Sequence, residues 1–135
     1  MYDGAGQGVP DALVEVWQPD GAGRIPHQPG SLRRDGATFT GWGRSATDAA
    51  GRYGFTTVAP GPAPRERPPF FALAVFARGL LDRLFTRAYL PGEDLDGALA
   101  PLVCVAENAG AAYCFDIHLQ GPRETVFLAY RDARR

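Results

Sequence analysis

From Ala12 to Gln18 the chain reads ALVEVWQ, with Leu13, Glu15 and Trp17 alternating against Val14 and Val16. A period of two, carried by β-branched and aromatic residues, predicts a strand with one face buried. RYGFTTV, Arg52 to Val58, has the same bias and predicts another. The stretch ERPPFFALAVFARG, Glu66 to Gly79, holds the longest apolar run, Phe70 to Ala77, and predicts an interior strand over Phe71 to Ala77. A further strand is expected at about Leu84 to Leu90, where FTRAYL alternates less cleanly. YCFDIHLQ, Tyr113 to Gln120, and ETVFLAY, Glu124 to Tyr130, flank a tight Gly-Pro-Arg turn and predict a hairpin.

The polar stretches between these runs are turns. DGAG occurs at Asp3 to Gly6 and at Asp20 to Gly23, and DAAG at Asp48 to Gly51. Asp first and Gly fourth suits a type I turn in which the carboxylate caps its own backbone, so these are read as turns and not as metal loops. PGPAPRERPP, Pro60 to Pro69, is a connection of extended character because its prolines lack donors and fix φ. PGEDLDGALAP, Pro91 to Pro101, is a loop with room for a short helical turn. Seven or so short strands between regular turns predict an all-β chain: a single-domain antiparallel β-sandwich over residues 1–130, followed by a solvated basic tail, RDARR, Arg131 to Arg135.

Composition narrows the possible functions. A length of 135 residues suits one domain with a real core, and 17 Gly with 12 Pro fit a turn-rich protein better than a helical bundle. A net charge of −1 lacks the basic footprint that neutralising phosphates requires, which argues against nucleic acid. The run Phe70 to Ala77 is far short of the roughly 20 residues of a spanning helix, and MYDGAGQG has neither the charged nor the apolar part of an export signal. Cys104 and Cys114, without a C-x-x-C, are read as buried thiols of a reducing cytoplasm.

Candidate chemistry is sparse. His27 lies in a Pro-rich loop and His118 in an alternating run, neither at ligand spacing from another His or Cys. Glu15 and Asp116 fall on expected strands, where a solvated or ion-paired carboxylate is the ordinary state. No nucleophile elbow, P-loop or dinucleotide fingerprint occurs. From the residues alone, the chain reads as a β-sandwich with no evident active site of its own.

Four separated stretches carry a more specific signal: GVPDALVEVWQPDGAGR, FTGWGRSATDAAGRYGFTTVAPG, FALAVFARGLLDRLFTRAYLPGE and YCFDIHLQGPRETVF. In content and order they resemble the intradiol ring-cleavage dioxygenases over about Asp3 to Phe127, and within them the α-type chains that work beside a catalytic β-type chain. The resemblance implies that catalytic chains hold Fe(III) with two tyrosines and two histidines. Carried over by position, the tyrosines correspond to Ile25 and Ala63 and the histidine pair to Phe70 and Ala72, so this chain is expected to hold no metal and no catalytic residue. It implies a homologous iron-bearing β partner, and cleavage of protocatechuate by O2 to 3-carboxy-cis,cis-muconate. Arg78 is the residue expected to contact the substrate carboxylate, the alternative being a surface ion pair. Leu80, Leu81 and Phe85 are expected to be partly uncovered without the partner. Two departures from the resembling α chains bear on assembly: no N-terminal segment with Thr-x-Gly-Pro-Tyr precedes the first strand, and the piece between Leu102 and Tyr113 is short. The rival readings are a non-enzymatic binding or regulatory sandwich, which the first sixty residues alone would fit, a free-standing catechol dioxygenase, which would need its own ligands, and a remnant without function.

Overall fold

The computed structural model describes residues 1–27, 34–62, 68–92, 95 and 97–130. Its centre is a four-stranded antiparallel sheet of β1 (Leu13–Trp17), β2 (Trp42–Ala46), β3 (Phe70–Phe76) and β4 (Leu84–Tyr89), in the order β2-β1-β3-β4. A 3₁₀ turn at Gly97–Leu102 leads to a two-stranded ladder of β5 (Val105–Glu107) and β6 (Ala112–Cys114). Among the described residues no helix is long and apolar enough to cross a membrane.

Alternation sets the two faces of the large sheet. Val14 pairs with Val75 and Val16 with Leu73, and these side chains are buried together with Ala88, Ile117 and Cys104 in one core. Thr86 is the polar member of that face, and its hydroxyl donates to the carbonyl of Val126 at 2.8 Å. The opposite face carries Trp17, Ala72 and Arg87 in a row across β1, β3 and β4.

The strands expected at Ala12–Gln18, Phe71–Ala77 and Leu84–Leu90 are present as β1, β3 and β4. Arg52–Val58 is instead an extended segment outside any ladder. Side chains take its backbone groups: the Ser45 hydroxyl accepts from the Gly54 amide at 3.2 Å, and the Gln18 amide donates to the Val58 carbonyl at 2.8 Å. The segment still covers the core, since Tyr53 and Phe55 pack onto it.

The expected hairpin is also irregular. Its Gly-Pro-Arg turn closes by a bond from the Glu124 amide to the Gly121 carbonyl at 3.0 Å, with Gly121 at φ +98°. The flanking runs then diverge. Tyr2 takes the Ile117 carbonyl and the Leu119 amide at 2.8 and 2.9 Å, while the Leu128 amide turns to the Phe85 carbonyl at 2.7 Å. These segments form the second layer, holding Phe115, Leu119 and Phe127 against the sheet.

The three Asp turns share one geometry. The amides of Gly6, Gly23 and Gly51 donate to the carbonyls of Asp3, Asp20 and Asp48 at 3.1, 3.0 and 2.9 Å, while each carboxylate accepts amides two and four residues on. The Arg24 amide, the largest cause, holds the Asp20 carboxyl below its ordinary range, and the Arg52 amide does the same for Asp48. The second turn also places chain against chain. The Gly61 amide donates to the Asp20 carbonyl at 2.9 Å, and a Cβ on Gly23 would stand 2.1 Å from the Pro62 oxygen, so the approach admits only glycine.

Candidate functional site

Phe70 and Ala72, two residues apart on β3, point to the same side of the sheet. Phe70 pairs with Tyr89 and Ala72 with Arg87 across β4, and Ala72 faces Trp17 across β1. The Arg87 guanidinium carbon lies 4.4 Å from the Phe70 ring centre, and its Nη1 donates to the Tyr89 hydroxyl at 3.2 Å. Phe70 and Tyr89 are tilted at 54° with centres 5.3 Å apart. The Arg87 Nε–H is buried without an acceptor among the described residues. Ile25 is exposed, and it follows the Asp20–Arg24 turn against which Gly61 packs. Ala63 lies outside the described residues.

This face does not fit a ferric ion. Ile25, Phe70 and Ala72 offer no donor atom, and the neighbour of Ala72 across β4 is Arg87, a permanent cation, which repels another. Among the described residues no three His, Cys, Asp or Glu side chains gather where an ion could be held. His27 is exposed, and His118 is stacked on Tyr2, ring centres 5.0 Å apart at 18°. Glu15 accepts from Arg44 Nε at 3.0 Å.

Arg78 leaves the end of β3 in a turn closed by the Leu80 amide on the Ala77 carbonyl at 3.2 Å. Its guanidinium pairs with Asp11 at 2.6 Å, with side-chain exposures of 83% and 66%. It lines neither of the two large clefts. Leu81, three residues on, is fully exposed, whereas Leu80 and Phe85 are half-buried, Phe85 meeting the Tyr130 ring edge-on at 5.1 Å.

The larger cleft, about 930 Å³, separates Arg52–Ala59 from β6 and reaches down to Phe71 and Cys104. Both cysteines are free. Burial pushes the Cys104 thiol up to about 11 and raises that of Cys114. Burial also raises Tyr53, whose hydroxyl donates to the Phe115 carbonyl at 2.6 Å. Burial thus favours the neutral thiols and phenol over their nucleophilic anions. Asp116 lines the rim of the same cleft.

A strand-rich chain with apolar Phe70 and Ala72 on one sheet face matches, over residues 1–121, the family model described as Dioxygenase, and the chain belongs to that family. It is a dioxygenase subunit of the intradiol class, which sets aside the non-enzymatic sandwich reading. It is 35% identical to the protocatechuate 3,4-dioxygenase alpha chain of Burkholderia cepacia, over 95% of this chain and 73% of that protein. Against the alpha chain of Pseudomonas putida the identity is 33%, over 96% and 73%. The beta chain of the Burkholderia cepacia enzyme is 38% identical over 70% of this chain and 43% of its own length. The two α-chain matches thus extend over more of the sequence than the β-chain match does. Sequence reasoning missed β2, whose WGRSA has only one large apolar residue, and missed Arg87, which only the cross-strand register brings beside Phe70 and Ala72.

Proposed function

We propose that this chain is the α-type subunit of a protocatechuate-cleaving intradiol dioxygenase, working beside a homologous β-type chain that holds the iron. The observation that carries the reading is the combination of two α-chain matches over nearly the whole sequence with apolar Phe70 and Ala72 on the sheet face. In such an enzyme, Fe(III) in the partner supplies activation of the catechol ring toward O2, and both oxygen atoms enter between the two hydroxyl-bearing carbons to give 3-carboxy-cis,cis-muconate. The role of this chain is to supply the surface that completes the partner's cavity.

Arg78 is the residue proposed to meet the substrate carboxylate. Its present partner, Asp11, is itself exposed, so exchanging it for a carboxylate in a partner's cavity gives up an interaction worth only about 0–1 kcal/mol. A guanidinium offers a forked contact in a place where a desolvated carboxylate needs a cation. Leu81 beside it is an apolar side chain that a partner would cover.

Co-expression with a homologous chain carrying tyrosine and histidine ligands tests the reading. The two should co-purify and cleave protocatechuate. Arg78→Ala in the assembled enzyme should raise KM for protocatechuate by roughly ten-fold, the worth of about 1.4 kcal/mol, and leave uncharged catechols nearly unchanged. Arg78→Lys should recover part of the loss. Failure to associate with any such chain would remove the partner role, while unchanged kinetics in Arg78→Ala would remove Arg78 alone.

A further inference from the structure

A second cleft, about 720 Å³, shares Gly54 to Val58 with the larger one and is lined by the indole of the β2 residue Trp42. Two arginines hold that indole. The guanidinium carbons of Arg34 and Arg44 each lie 5.5 Å from the Trp42 ring centre, and Arg34 Nη2 donates to the Trp42 carbonyl at 2.7 Å. The two cations differ in compensation. Arg44 is paired with Glu15, whereas Arg34 has no carboxylate partner among the described residues. Among the described residues, Arg34 is thus the cleft-lining arginine whose charge no carboxylate pairs. Around it stand the apolar side chains of Phe55 and Val58, the latter exposed. The Trp42 Nε1–H is sealed from water with no acceptor among the described residues, an arrangement that is uncommon for a buried donor.

We infer that this cleft is a binding site for a small organic monocarboxylate with a flat apolar body, a benzoate-type anion. Arg34, without a carboxylate partner among the described residues, matches a single negative charge, a forked guanidinium matches a carboxylate, and the apolar walls match a ring better than they match a mineral anion. Arg34, exposed and donating to the Trp42 carbonyl, can turn onto the ligand, and the indole N–H is a donor without an acceptor among the described residues that a ligand oxygen would satisfy. The site uses none of the residues assigned to the partner-facing role and needs no metal.

The test uses the chain without any partner, so that its result is independent of the subunit assignment. Only Trp17 and Trp42 contribute indole N–H resonances, and Trp42→Phe identifies which is which. Titration with benzoate should shift the Trp42 resonance saturably, with a dissociation constant on the order of a millimolar or tighter. Arg34→Gln should weaken binding at least ten-fold without changing the melting temperature, and Arg34→Lys should restore part of it. Inorganic phosphate and uncharged benzyl alcohol should each bind at least ten-fold more weakly than benzoate. A Trp42 resonance that never saturates, an Arg34→Gln variant that binds as well as the parent, or phosphate binding as tightly as benzoate would each overturn the assignment.

Discussion

The two faces of the four-stranded sheet are one residue apart in sequence and differ in almost every other respect. On one face Val14, Val16, Leu73, Val75 and Ala88 are closed into a single core, with Thr86 satisfied by a carbonyl. On the other, Trp17, Phe70, Ala72, Arg87 and Tyr89 are held by pairwise ring and guanidinium contacts, and one guanidinium N–H has no acceptor among the described residues. Close packing makes the first face intolerant of change. The second face buries Ala74 and Tyr89 but is otherwise held by pairwise contacts, so substitutions there cost less.

The sharpest way to break the comparison is a truncation on each face. Leu73→Ala opens a cavity under the sheet and should cost about 2–5 kcal/mol by denaturant unfolding. Arg87→Ala removes the contact with Phe70 but also removes the buried Nε–H, and these effects oppose one another. It should cost about 1 kcal/mol or less. If the two variants lose stability equally, the faces are not distinct.

A smaller effect separates the turns from both faces. The Asp48 carboxyl is held below its ordinary value of 3.8, chiefly by the Arg52 amide. A depressed folded pKa means a contribution present above the unfolded value and lost as pH falls through the folded one. Stability should therefore decline below about pH 4, and the gap between wild type and Asp48→Asn should narrow over the same window. A gap that is constant from neutral pH down through that window would show that the carboxylate charge plays no part in the turn.

Legibility in the sequence followed the source of the order. β1, β3 and β4 owe their form to apolar alternation or apolar runs, and the Asp turns to local hydrogen bonds, so both were readable from neighbouring residues. The donor-free positions Ile25, Phe70 and Ala72 could be assigned from family resemblance. Arg52–Val58 has a strand's composition, yet Ser45 and Gln18, distant in sequence, take its backbone groups. The neighbours of Phe70 on β4 depend on register, which no local pattern specifies. Arg78 was singled out in the sequence by resemblance, while its pairing with Asp11 spans 67 positions and emerges only from the fold.

The proposal that this chain is a dioxygenase scaffold whose iron belongs to a partner is tested most directly by metal analysis of the chain alone and of its complex with a ligand-bearing β-type chain. The isolated chain should hold no stoichiometric iron and show no visible absorption band, while the complex should hold one iron per pair and show a tyrosinate charge-transfer band. One iron bound per isolated chain, with the band present before any partner is added, would contradict it.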